Sequence, residues 1–442
     1  MRRLFGGYAY GDGPRAGCWW DDTHLDVSRP PLANTLRTDV AIIGGGFTGV
    51  SAALHLAQSG VSVTVLDAQR IGWGASGRNG GFCCLGGSMA SDAVLDQRFG
   101  SAERVAFRRT ERAAIELVAA LIDEYGIDVD RHSTGETSLA HRRKDMAALR
   151  AHAESIPDNY GVPYQLHSSD DLSGLGMSGP FHGGLTIEAG FGLNPRKYLC
   201  GLAQAAEASG ARIFEQSAVT EMKSGVDGWA LRVNGHTLYA DRVVLATNGY
   251  SSDDLPEWLA GRYLPSQSNV IVTRPLSDEE LSAAGWTTDQ MVYDTRNLLH
   301  YFRLMPDRRF LFGMRGGIFT GTRAEARATA RVRADFDAMF PAWSEVETTH
   351  GWSGLVCLAR DRLPFAGAVP DHPGLWAGLC YHGNGVAMGT YSGAVLAQLV
   401  QGQVPQMPYP EALRTPLRRF ELRRFRRAMI PLAYAGYAMA DR

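Results

Sequence analysis

The residues whose types and spacing point most directly to chemistry are Gly44, Gly46, Phe47, Thr48 and Gly49, within Gly44-Gly45-Gly46-Phe47-Thr48-Gly49, together with Asp67 and Ala68 downstream. The GxGxxG spacing suits a turn that bends sharply at its first glycine and admits a pyrophosphate against the backbone at its second. The third glycine lets a helix lie close to a strand. Free N–H groups and the positive dipole end at the start of that helix hold phosphate charge. An acidic side chain about 20 residues further on, here Asp67, accepts both hydroxyls of a ribose. This is the chemistry of holding a dinucleotide rather than of breaking a bond.

Such a cradle needs particular elements around it. Val40-Ala41-Ile42-Ile43 is a continuous apolar run, as expected for a strand buried on both faces of a parallel sheet. A helix is predicted over Thr48–Ser59, with Val50, Ala53, Leu54 and Ala57 on one face, ended by Gly60. Val61–Leu66 then reads as a second strand closed by Asp67. Strand, glycines, helix, strand and carboxylate occur in the order that makes the motif specific. The following segment, Arg70–Gly81, is rich in glycine and exposes its backbone, so it can wrap a long ligand. Ala75 and Ser76 would meet phosphate, and Arg78, Asn79, Gly80 and Gly81 would reach beyond it. Asp241–Gly249 reads as a strand ending in a small-residue turn, where Thr247, Asn248 and Gly249 can touch a ligand. Tyr381–Met388 carries a second glycine turn (Gly383, Asn384, Gly385, Val386, Ala387) that opens another helix, whose free N–H groups can stabilise negative charge.

Composition narrows the class. The chain has 442 residues, 45% hydrophobic and 20% charged, with a net charge of −2. These values exclude intrinsic disorder and leave no overall electrostatic drive toward nucleic acid. No apolar stretch is long enough to span a bilayer, so no stable membrane insertion is expected. Met1–Cys18 lacks the apolar segment of a secretory leader. The six cysteines show no CxxC pairing, so no metal is expected, and they suit a reducing, cytoplasmic setting.

The stretch Thr38–Gly81, including DVAIIGGGFTGVSAALHLAQSGVSVTVLDAQRIGWGASGRNGG, resembles the D-amino-acid-oxidase-like FAD-dependent oxidoreductases, most of all their gamma-glutamylputrescine oxidase branch. Further anchors follow in order at Asp241–Gly249, Leu298–Gly313, Trp352–Gly367 and Tyr381–Gly402. The resemblance implies an α/β fold: a Rossmann-like FAD-binding domain of the glutathione-reductase type with an interleaved antiparallel-sheet substrate domain. The FAD domain would comprise residues 36–90, 185–255 and 351–405, the substrate domain 91–184 and 256–350, and a C-terminal helical tail 406–442. It places Val219 against the adenine. Attachment of FAD is expected to be non-covalent, because the Ala75–Gly81 loop holds no histidine and Cys357 sits in a non-matching context.

The resemblance also implies the reaction: a neutral amine gives hydride to flavin N5, the imine is hydrolysed, and O2 or another acceptor reoxidises the flavin. Amino-acid-oxidising relatives carry an arginine that clamps the α-carboxylate. The corresponding segment here retains Arg360, Asp361 and Pro364 but has Val356 in the clamp position. The expected substrate is therefore gamma-glutamylputrescine or a similar N-substituted amine, with Arg315, then Arg303, as alternative carboxylate ligands. Catalytic candidates are His382, Tyr301, Arg315 and Trp352; Tyr301 and Phe302 must face opposite ways on a strand. None of the three lysines falls in a segment expected to cover the ring, so a cationic His382 or Arg315 is the candidate for activating oxygen. A secondary-amine or amino-acid dehydrogenase using a quinone or partner flavoprotein is the alternative, and a non-catalytic flavoprotein is a rival of another class. The oligomeric state is left open. The arginine-rich stretch Arg414–Arg427 is expected to form a docked terminal helix with its arginines in solvent.

Overall fold

The computed structural model describes residues 1–25 and 27–441. The strand Leu36–Ile43 lies inside an eight-stranded sheet, its last four residues buried. On one side it pairs in parallel with Val63–Leu66, which pairs in turn with Arg212–Phe214. On the other it pairs in parallel with His236–Leu245, followed by Leu375–Leu379 and the antiparallel edge strand Phe365–Ala368. The chain leaves the first strand toward opposite sides, so a crevice opens at its carboxyl end. A hairpin of Val219–Gly225 and Gly228–Val233 joins the sheet antiparallel to the start of His236–Leu245. The sheet is consequently mixed.

Two helices cover the crevice side. Phe47–Gln58 follows the glycine turn, and Ala387–Val400 lies directly against it. Their closeness depends on small residues: a Cβ on Gly393 would stand 2.4 Å from the Thr48 carbonyl oxygen. Ser51 Oγ donates to the Thr390 carbonyl at 2.7 Å across the same contact. Val40, Ile42, Val50, Leu54, Val65 and Val395 form one core there, each large side chain contributing about 1.5–3 kcal/mol by burial.

A second eight-stranded sheet faces the crevice, in the order Thr348–Ala359, Tyr263–Pro275, Arg309–Arg315, His300–Leu304, Met291–Asp294, Glu136–Leu139, Gly183–Ile187 and Tyr164–Ser168. It departs from the antiparallel expectation at one pair, because Met291–Asp294 and Glu136–Leu139 run parallel. The two segments come from chain parts separated by helices, and no tight hairpin constrains their direction. Alternation along His300–Leu304 sends Phe302 into a core with Trp286, Phe310, Phe312, Phe336 and Phe340. Tyr301 points to the other face, toward the crevice. Two domain boundaries expected from the sequence cut through strands of this sheet: 184/185 falls inside Gly183–Ile187 and 350/351 inside Thr348–Ala359.

The tail also differs from expectation. Instead of one helix over 414–427 there is a short helix Glu411–Arg414, a 3-10 segment Arg423–Ala428 and a helix Met429–Ala440. Arg426 is fully buried, with Nη2 2.6 Å from Asp253 Oδ1 and Nε donating to the Tyr263 carbonyl. A carboxylate and a carbonyl from remote segments compensate its desolvation. No helix among the described residues is long and apolar enough to cross a membrane.

Candidate active site

The glycine turn has the geometry its spacing predicted. Gly44 has φ +108°, and a Cβ there would stand 2.7 Å from the Ala246 carbonyl oxygen. A Cβ on Gly49 would approach the Gly44 carbonyl oxygen to 1.9 Å, so helix and strand meet only because that atom is missing. Asp67 accepts N–H bonds from Gly45 at 2.7 Å and Gln69 at 2.8 Å. Ser76 Oγ accepts the Phe47 N–H at 3.0 Å, closing the glycine-rich loop onto the helix start.

That loop is clamped from several sides. Arg15 Nη1 donates to the carbonyls of Gly72 and Trp73, and Trp20 Nε1 donates to that of Asn79 at 2.8 Å. Arg78 Nε donates to the Trp73 carbonyl at 2.8 Å, and its guanidinium lies 4.2 Å from the Trp73 ring centroid. Asn79 accepts the Gly81 N–H. Trp352 Nε1 donates to the Arg78 carbonyl at 2.8 Å. Trp352→Phe keeps the ring packing against Trp20 but leaves this carbonyl unpaired. A loss of about 1–3 kcal/mol is expected, read by denaturant unfolding of the purified protein.

The second turn joins the first. Asn248 Oδ1 accepts the Cys380 N–H at 3.0 Å, and Tyr381 Oη lies 2.9 Å from Thr48 Oγ1. Cys380 and His382 both hold positive φ, at +69° and +53°. Such backbone strain in non-glycine residues persists where surrounding structure over-determines it, typically at ligand sites. Asn384 Nδ2 donates to the Leu85 carbonyl at 2.6 Å.

These elements enclose a cavity of about 460 Å³, within the usual range for small-molecule clefts. Its lining includes Gly44, Gly46, Phe47, Thr48, Asp67, Ala68, Ala75, Ser76, Arg78, Asn79, Gly80, Val219, Thr247, Asn248, Gly383, Asn384, Gly385 and Val386. From the second sheet come Tyr301 and Arg315. Gly49, Gly81, Gly249 and Ala387 stand behind this lining as packing and turn residues, and Trp352 and His382 do not reach it. No lysine lines it.

Tyr301 Oη is 2.9 Å from Ser268 Oγ. Arg315 Nη2 donates to the His382 carbonyl at 2.9 Å, and Gly383 makes room, since a Cβ there would meet that nitrogen at 2.7 Å. The groups acting electrostatically on Arg315 are Tyr301, Tyr434 and Cys84, with no carboxylate among them. His382 corrects the expectation of a cationic imidazole: burial, reinforced by Arg315, pushes its pKa down to about 3. It is neutral, and it serves through its backbone carbonyl. Arg303, the second alternative to a carboxylate clamp, is spent elsewhere, donating to His132 Nε2 and the Leu193 carbonyl at 2.9 Å each. Residues that sequence reasoning missed include Tyr250, Trp73, Cys84, Glu136 and Tyr293, all in the lining. Trp73 lies within the glycine-rich loop; the others carry no local motif.

The residues fit FAD on structural grounds. The cavity runs from Asp67 and Val219, past two helix starts, to the face of the second sheet. Arg78 Nη2 is buried without a hydrogen-bond partner, an orphan donor a bound polar group would satisfy.

Residues 39–399 match the family described as FAD dependent oxidoreductase (DAO). The chain is 32% identical to a probable oxidoreductase OrdL of Rhizobium meliloti (strain 1021), covering 93% of this chain and 94% of that protein. It is 30% identical to the gamma-glutamylputrescine oxidoreductase of Escherichia coli (strain K12), covering 87% and 91%. The solved iminodiacetate oxidase of Chelativorans sp. BNC1 shares the fold, with TM-score 0.70 and 20% identity over 85% of this chain and 98% of that one. Sequence and architecture agree that the chain belongs to the DAO family of FAD-dependent oxidoreductases, with FAD as its cofactor.

Proposed function

We propose that the protein oxidises an amine whose carboxylate lies far from the reacting carbon, gamma-glutamylputrescine or a similar N-substituted amine, to an imine that water hydrolyses. The observation that carries this reading is the pairing of Val356 with Arg315 in one lining. Val356 offers no charge where amino-acid-oxidising relatives clamp an α-carboxylate. Arg315 is an available cation without a carboxylate neighbour, and its planar fork suits bidentate capture of a substrate carboxylate.

Bound FAD supplies the ring that accepts hydride. The protein's part is holding and orienting. Asp67 has acceptor capacity beyond its two backbone partners for ribose hydroxyls. The starts of Phe47–Gln58 and Ala387–Val400 present positive dipole ends to the cavity. Tyr301 offers an aromatic wall to the amine, and the clamped loop Gly72–Gly81 excludes water. We assign cofactor binding to the first sheet layer and substrate binding to the second. Six cysteines without CxxC spacing suit a reducing setting and support placing the protein in the cytoplasm.

We propose O2 as the acceptor. A second reading, reoxidation by a quinone or partner flavoprotein, is favoured by the lack of lysine in the lining and by the neutral His382.

Anaerobic mixing of the purified protein with gamma-glutamylputrescine tests the substrate. Bleaching of oxidised-flavin absorbance that air restores is the expected result. Bleaching that air leaves unchanged moves the acceptor to the second reading, and no bleaching removes the named substrate. Acid precipitation of the same sample is expected to release all the yellow colour, since attachment is proposed to be non-covalent. Colour retained in the pellet would implicate Cys357, which lines the cavity.

A further inference from the structure

One charged group in the cavity has no part in the chemistry above. Glu136, at the start of the strand Glu136–Leu139, is 3% exposed and lines the cavity. Its Oε2 has no close hydrogen-bond partner, Oε1 accepts a long bond from Tyr293 Oη at 3.4 Å, and the Cys84 thiol and the Leu85 N–H are the other donors that act on the carboxyl. Among the described residues, no arginine, lysine or histidine is one of the main influences on it. An unpaired carboxyl is costly to bury and is retained where something else meets it.

The acidic side chain whose charge acts on Glu136 is held differently. Glu111 is equally buried, but Arg108 Nη1 lies 3.1 Å away and Tyr160 Oη donates at 3.0 Å. Glu111 is satisfied within the fold, whereas Glu136 faces open space. Across that space stands Arg315, and the Cys84 thiol feels both charges. On this side the cavity therefore presents a cation without a carboxylate partner, Arg315, and a carboxyl without a cationic partner, Glu136, complementary to a ligand with ammonium and carboxylate at separate ends.

We propose that Glu136 recognises the amine: its carboxylate holds the substrate ammonium by a charge-assisted hydrogen bond and takes its proton. This inference rests on the amine-oxidation reading. In the step, one N–H bond of the ammonium breaks and an O–H bond forms at Glu136, leaving a neutral amine with its nitrogen lone pair free. Hydride can then leave the adjacent carbon, because that lone pair compensates the developing positive charge.

The chemistry of the group agrees with this role. Burial pushes the Glu136 carboxyl up to about 8, with Glu111 adding to the shift and Cys84, Tyr293 and the Leu85 N–H opposing it. That narrows the gap to a primary alkylammonium, at about 10.4, so proton transfer is less uphill than to an ordinary carboxylate. Burial also raises the Cys84 and Tyr293 pKa values.

The sign of the pH effect follows. Below about pH 8 the empty site holds Glu136 protonated, so capturing an ammonium expels one proton. Affinity for an ammonium should rise about tenfold per pH unit up to that point and then level off.

The test uses the flavin-loaded protein and tert-butylammonium, which has no hydrogen on the carbon bearing nitrogen and cannot be oxidised. Calorimetry between pH 6 and 9, in two buffers of different ionisation enthalpy, measures affinity and proton release. The expected result is release of one proton on binding below pH 8, and in Glu136→Gln at least a 30-fold weaker affinity at pH 8 with no pH dependence. The variant's flavin content and thermal midpoint should match or exceed the parent's above pH 8, because Gln removes a buried ionised group. Unchanged affinity in the variant, or no binding by the parent, overturns the proposal. Should the variant lose flavin, the parent decides alone: binding without proton release is equally fatal. If tert-butylammonium binds through Glu136 but no amine bleaches the flavin, the oxidation reading fails while the ammonium site stands. If an amine bleaches the flavin and Glu136→Gln is unaffected, oxidation stands and the ammonium site falls.

Discussion

Gly49→Val is expected to yield a protein that purifies without flavin. A Cβ at this position would stand 1.9 Å from the Gly44 carbonyl oxygen and 3.2 Å from Ile42 Cγ2. The first contact is with backbone at the turn itself, so no side-chain rotation relieves it. The helix Phe47–Gln58 must move outward by more than an ångström, but it is held on its other side by Ala387–Val400, where Gly393 leaves no slack. Overpacking of this kind costs at least about 1–3 kcal/mol. It also displaces the helix-start N–H groups from the position at which they can meet phosphate. The measurement is the ratio of flavin to protein absorbance after purification, with FAD titration of the apoprotein. A control, Gly436→Ala, places its Cβ in open space and should retain full flavin. A yellow Gly49→Val protein with parental FAD affinity would show that the turn does not carry the cofactor.

The second large effect concerns Arg315→Met. For an amine bearing a distal carboxylate, KM should rise by about 10- to 150-fold, the equivalent of losing a charge-assisted hydrogen-bonded contact of about 1.5–3 kcal/mol. Arg315 also supports the second glycine turn by donating to the His382 carbonyl, so some loss of kcat will accompany any substitution. The decisive quantity is therefore the difference between substrates. An amine of similar length without a carboxylate should show a KM change of less than about threefold, since its binding never used the charge. Lysine at this position should recover part of the loss by charge alone, without the bidentate geometry. Burial lowers the Arg315 pKa, yet a guanidinium remains charged across the working range, so the substrate dependence should persist at every pH. Equal losses for both amines would reassign Arg315 to a purely structural role.

How legible each part of the site was depends on the range of the interactions that build it. The cradle is local: Val40–Ile43, Gly44–Gly49 and Asp67 lie within one strand-helix-strand unit, and each glycine answers to atoms a few residues away. The strand pair Tyr301 and Phe302 was equally readable, since opposite faces follow from the pleat. His382 was not. Its residue type allows either charge state near neutral pH, and only burial with Arg315 beside it makes it neutral. Arg426 looked like its six arginine neighbours until Asp253 and Tyr263 folded against it.

Glu136 shows the limit most clearly. Nothing in Glu136-Thr137-Ser138-Leu139 sets it apart from any carboxylate near a turn. Its meaning comes from a parallel pairing with Met291–Asp294, which brings Tyr293 to it, and from Cys84 and Leu85 on a third segment. The nucleotide-binding unit was readable from contiguous residues whose spacing is dictated by backbone geometry, and the resemblance carried by the ordered motifs implied the cofactor class and the family. The tertiary structure alone decided which charges are buried, which are paired and which stand open to a ligand. Those properties depend on desolvation and on partners brought together across hundreds of residues, and no local pattern encodes them.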